Sequence, residues 1–126
     1  MVEVPEHYRR HRLYDSYYDS EISLVPFPNA FKVNKYYISV AEATLDRDNN
    51  KLSSVINTAT QYRGGDNTAS WDGTYRSLLG MPVTNLSPQE FHEFANNRGN
   101  GWEMYEADVH DDLYWLYAIE YANTNI

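Results

Sequence analysis

Between Ser87 and Asn125 the chain reads SPQEFHEFANNRGNGWEMYEADVHDDLYWLYAIEYANTN, and this stretch limits the fold more than any other. Ser87, followed by Pro88 and with Glu90 three residues on, is a capping box. The serine oxygen accepts from the Glu90 amide, and the glutamate accepts from the Ser87 amide. Phe91, Phe94 and Ala95 then fall at i, i+3 and i+4 and make one apolar stripe. Arg98 suits the negative end of the helix dipole and Gly99 is a natural stop, so a helix is predicted over residues 88–98. The Gly99-Asn100-Gly101-Trp102 corner separates it from a second element. There Val109, Leu113, Leu116 and Glu120 share one helical face, and Trp115, Ile119 and Ala122 share the next. Asp108, Asp111 and Asp112 crowd its start, where carboxylates complement the dipole. The aromatic run 113–121 also suits a strand. Its length and acidic start favour a helix over 108–122, apolar on most sides and therefore largely buried.

A chain of 126 residues has room for one comfortable core. Its formal charge of −8 argues against a nucleic-acid binder, which needs a basic face, and against docking on an anionic membrane. No apolar run is long enough to span a bilayer. The start, MVEVPEHYRRHR, has no apolar core behind its charges and is not expected to act as a secretory signal. Without cysteine there is no disulfide framework, thiolate metal site or thiol nucleophile. Twelve tyrosines and three tryptophans are many for this length. Tyrosine fills half-buried seams and is equally at home on recognition surfaces, because it is amphipathic and orders at little entropic cost.

Residues 1–19 are polar and lack a lasting period, so they read as an arm rather than as core, held loosely or laid across a neighbouring subunit. The segment EISLVPFPNAF from Glu21 is a short entry strand stopped by Pro26 and Pro28. Residues 1–30 are thus expected to be arm and entry strand, and 31–126 the folded domain. FKVNKYYISVAEAT, from Phe31 to Thr44, alternates like a strand near the core. In LDRDNNKL, Asp46, Asp48 and Asn50 are spaced like the first ligands of a calcium loop. Lys51 then stands where such a loop needs glycine and Asn57 where it needs a bidentate glutamate, so a solvated turn is the better reading. Residues 52–62 are ambiguous between helix and strand. RGGDNTASWDGTYRSLLG is loop chemistry carrying Trp71 and Tyr75, tied over a core or used for binding.

Four histidines are present. His7 and His11, at i and i+4, can share a helix face, but no nearby carboxylate completes a motif. His92 adjoins the apolar stripe. His110 lies among Glu106, Asp108 and Asp112, which reads as an exposed acidic helix start rather than a metal site. No metal or cofactor site is predicted, and no phosphate loop, dinucleotide fingerprint or serine-hydrolase elbow is present. Glu120 is the one carboxylate inside the apolar run. If buried it must be paired, as an anchor for backbone amides or as a general base.

The segments Lys35-Tyr36-Tyr37-Ile38-Ser39-Val40-Ala41-Glu42, Pro82-Val83-Thr84-Asn85-Leu86-Ser87 and Ile119-Glu120-Tyr121-Ala122 resemble, in order and spacing, the C-type-lectin fold. The branch is that of formylglycine-generating enzymes and phage variable proteins. DGTYRSLLG, NRGNGWEMY and WLYAIEYANTN are similar to a family of phage and prophage proteins of gut bacteria, and the resemblance spans about residues 32–125. It implies an α+β, C-type-lectin-like domain with two helices, about 88–98 and 108–122, on a small antiparallel sheet. A lectin-type fold places further central strands after its second helix, so the sheet is expected to be incomplete here, completed by a partner chain or by more of a longer protein. The implied role is a non-catalytic virion component on a tail or head fibre, made in the host cytoplasm and extracellular once displayed. It would sit with other virion subunits, as a homo-oligomer, and bind a host-surface glycan or protein. The copper-dependent activity of the enzymes relies on cysteines and does not carry over. Ligand contacts are expected from Trp71 and Tyr75 in the glycine-rich loop and from Trp102 and Tyr105 after the second break, because flat aromatic faces stack on sugar C–H surfaces. Trp102 also suits a role plugging the space between the helices. A purely structural assembly protein and an enzyme working through Glu120 and His110 are the rival readings.

Overall fold

The computed structural model describes residues 1–54, 59–68 and 78–122. In chain order the strands are β1 (Val2–Val4), β2 (His7–Leu13), β3 (Tyr18–Ser23), β4 (Phe31–Val33), β5 (Tyr36–Ile38), β6 (Thr44–Asp46) and β7 (Lys51–Ser53). The helices α1 (Pro88–Asn96) and α2 (Ala107–Tyr121) follow. The class is α+β, with two helices and small antiparallel sheets among the described residues. Contacts divide the chain into two compact units, Met1–Ile38 with Tyr105–Ile126, and Ser39–Met104. The chain's first strands find their partners in its last helix, which no local pattern reveals.

In the first unit β2 runs between β3 and β4, antiparallel to both, and β1 pairs antiparallel with β5. The stretch expected to be an arm is therefore strand. Its two-residue alternation is one of burial that hydropathy does not mark: His7 and Arg9 face inward, 2% and 5% exposed, while Arg10 and Arg12 lie on the other face. Register on that outer face is matched in charge. Arg10 stands opposite Glu21 and Arg12 opposite Asp19, and both are ion pairs. His11 stands opposite Ser20, with Nδ1 and Oγ 3.0 Å apart. The single strand expected over 31–44 is cut into β4 and β5, with Asn34 and Lys35 between them, and the paired part ends at Ile38.

The helix expected over 108–122 forms almost as read, and Ala122 closes it in the left-handed region with its amide donating to the Ala118 carbonyl. Its burial differs. Among the described residues only Asp112 and Ala118 are buried along it, while Tyr117, Glu120 and Tyr121 are exposed. An apolar run at helical spacing is compatible with burial, but one face of α2 carries exposed side chains, Tyr117 and Tyr121 among them.

The second unit follows the apolar pattern more closely. β6 and β7 form a hairpin with Leu45 opposite Leu52. Those leucines join Val83 and Ala95 in a core flanked by Ala43, Leu86, Phe91 and Phe94. The α1 stripe is thus used as its spacing predicts. The hairpin turn is held by Asp46, itself 2% exposed, whose carboxylate accepts from the Asp48 and Asn49 amides and from Asn49 Nδ2. The Arg47 guanidinium donates to the carbonyls of Arg63, Gly64 and Gly65, which clips the start of the glycine-rich loop to the hairpin. Burial pushes its pKa below the ordinary arginine value.

The capping box is present in full: Ser87 Oγ accepts from the Glu90 amide, and Glu90 accepts from the Ser87 amide at 2.7 Å. Ser87→Ala is expected to destabilise this unit by about 1 kcal/mol in urea unfolding. The same bonds from Ser87 hold the Glu90 carboxyl below its ordinary value of 4.5. A depressed folded-state pKa makes this contribution fully present above that value and removes it as pH falls through the folded-state one. The gap between wild type and Glu90→Gln should therefore narrow on acidification, and a constant gap would contradict the assignment. α1 ends two residues earlier than expected, at Asn96, so Arg98 lies beyond the helix rather than in its last turn.

Candidate functional site

Two side-chain groups in the first unit carry chemistry, one buried and one open. The buried group is centred on Asp112. His7 Nε2 lies 3.0 Å from Asp112 Oδ1, and the Tyr36 hydroxyl donates to Oδ2 at 2.7 Å. Arg9 Nε is 3.2 Å from Oδ1 without hydrogen-bond geometry, so that attraction is Coulombic. The Arg9 guanidinium also donates to Asp111 Oδ2 at 2.6 Å. His7 Nδ1 faces the Pro5 carbonyl at 2.9 Å. Both ring nitrogens thus face oxygen partners. Burial, followed by the Asp112 carboxylate, pushes the Tyr36 phenol well above its ordinary range.

An imidazole, a guanidinium and a phenol converging on one carboxylate would suit proton transfer if substrate could reach them. The side chains of His7 and Asp112 are 2% and 3% exposed. The cluster is accordingly the interior of the unit: a cationic strand face closed by an anionic helix face. His7 and His11 lie on a strand rather than a helix, and a carboxylate does reach His7, Asp112 from the far end of the chain, while His11 pairs with Ser20. His11 stacks on Trp115 with ring centroids 4.1 Å apart, and burial with the neighbouring Arg9 lowers its pKa.

The open group lies on the other side of α2. A groove of about 570 Å³ is lined by Tyr105, His110, Leu113, Tyr114 and Tyr117. Positions 110, 113, 114 and 117 form one helical stripe, because residues three and four apart stack along a helix face. Asp112, Trp115 and Ala118 occupy the side turned to the strands. The Tyr105 hydroxyl and His110 Nδ1 are 3.2 Å apart with their rings edge to face, which ties Tyr105 to the start of α2. Tyr117 and Tyr121 extend the aromatic surface, with ring centroids 4.5 Å apart. Tyr105 and Tyr117 remain 51% and 43% exposed.

Of the four ligand-contact residues predicted from sequence, Trp71 and Tyr75 lie outside the described residues. Tyr105 lines the groove. Trp102 belongs to the other unit, half-buried, with the Arg98 guanidinium 3.7 Å from its ring centroid and so covering one face. Glu120, expected inside an apolar run, is exposed. The sequence reading missed Tyr114 and Tyr117. Their signal was present as the stripe through His110, but it read as core. No protein-family model, curated protein or solved structure matches the chain.

Proposed function

We propose that the chain is a non-catalytic recognition module carried on a phage virion, and that the tyrosine-lined groove on α2 binds a host-surface glycan. The observation that carries this reading is the groove itself. Three phenol rings and a leucine form an apolar wall, with hydroxyls and an imidazole placed to meet a sugar's polar edge. Tyrosines left half-exposed in a concave surface are more informative than scattered surface aromatics. The virion setting and the C-type-lectin-like architecture rest on the resemblance of NRGNGWEMY and WLYAIEYANTN to phage proteins. Presentation by a homo-oligomer would let several weak grooves act together. Trp71 and Tyr75 remain in the proposal as contacts from the glycine-rich loop.

Tyr117→Ala is expected to weaken binding to host cells and to a glycan array roughly tenfold, as removal of a central aromatic contact does. Tyr117 is exposed, so the fold should survive, which circular dichroism checks. Equal binding by wild type and variant would remove the groove from the reading. No binding by the wild type would favour a purely structural role in virion assembly.

A further inference from the structure

Resting on that reading, we propose that the α2 groove selects a glycan bearing an alkylammonium group. Aromatic rings carry negative charge on their faces, so a cation held against several of them is attracted by each. Tyr105, Tyr114 and Tyr117 offer three such rings around one groove. The surrounding charge has the same sense. From Gly99 to Ile126 there is no lysine or arginine, and the carboxylates of Asp108 and Glu120 are exposed on α2. Glu120 follows Tyr117 by three residues and so flanks the stripe on the helix surface. Asp111 and Asp112, on the other side, are both paired with Arg9 and add less to this field. A sulfated, phosphorylated or uronic-acid sugar would be repelled by Glu120 with no guanidinium or ammonium on the helix to receive it. An ammonium group gains from both the rings and the carboxylate.

The test compares choline with its uncharged tert-butyl isostere, which has the same shape without the charge. Each is titrated into the full chain at fixed chloride while the backbone amides from Tyr105 to Tyr117 are followed by NMR. Choline is expected to give saturable shifts confined to those amides, with the isostere roughly tenfold weaker. Tyr117→Leu and Glu120→Gln should each weaken choline several-fold, and Glu120→Gln, at an exposed site, should leave the spectrum otherwise intact. Equal binding of choline and isostere would overturn the charge selection while leaving an aromatic groove. Choline shifts that persist unchanged in Tyr117→Leu, or no saturable shift at all, would also overturn it. In those cases the glycan array with Tyr117→Ala decides separately whether the groove binds a neutral sugar.

Discussion

Asp112→Ala is expected to destabilise the unit built from residues 1–38 and 105–126 by about 3–5 kcal/mol, the usual cost of breaking a buried ionic cluster from one side. The alanine leaves a void in which His7 Nε2 and the Tyr36 hydroxyl lose their partner and the Arg9 guanidinium loses one of its two carboxylates, and unmet buried polar groups cost more than the bonds they made. Few apolar side chains are available to compensate, since among the described residues of this unit Val4 and Ala118 are the buried hydrophobic ones. A unit this small holds only a few kcal/mol in total, so the variant should lose its native β2 amide protection in hydrogen exchange. The neighbouring Asp111→Ala supplies the contrast. Asp111 has the shorter ion pair to Arg9, 2.6 Å, yet its side chain is 58% exposed. Water screens that pair, and its loss should cost no more than about 1 kcal/mol. Similar effects of the two substitutions, by urea unfolding, would show that the interior is not held by charge.

Gly64→Ala should be comparably damaging to the other unit, for a steric reason. A Cβ at this position would lie 1.8 Å from the Met81 carbonyl oxygen, 2.3 Å from its carbon and 2.6 Å from the Pro82 oxygen. All three are backbone atoms, so no rotamer change relieves the clash and the 81–82 segment must move. That segment receives the Gly65 amide at the Pro82 carbonyl, 2.7 Å, and the Gly64 amide donates to Leu78. Moving it also displaces Val83, whose side chain is part of the core with Leu45 and Leu52. Overpacking with lost backbone bonds should cost about 3 kcal/mol or more. Gly101→Ala is the control. It meets nothing within 4 Å and bears only the strain of φ +84°, about 1 kcal/mol. Thermal unfolding with exchange at the β6 and β7 amides reads both, and a Gly64→Ala protein as stable as Gly101→Ala would contradict the close approach.

The features legible from sequence were those whose cause is local. The Ser87–Glu90 capping box needs four consecutive residues, and the structure has it with both bonds in place. The Phe91, Phe94 and Ala95 stripe needs one helical turn, and it packs against the Leu45–Leu52 hairpin. The acidic start of α2 and the solvated turn after Asp46 belong to the same class, because dipole complementarity and amide capture act within a few residues.

Tertiary structure decided the rest. The β2 strand was illegible because its inward face is His7 and Arg9, and a hydropathy period cannot register a strand buried by charge. Those polar side chains become interior residues only because Asp112, 105 positions beyond His7, meets them there. Burial of α2 was misjudged for the complementary reason. Helical spacing tells which side chains share a face, so it correctly grouped them, but it cannot tell whether a face meets a sheet. One face of α2 closes over β2 and the other lines a groove with Tyr114 and an exposed Tyr117. Local chemistry fixed the elements of this protein, and only long-range pairing of charge and surface determined which sides of them meet water.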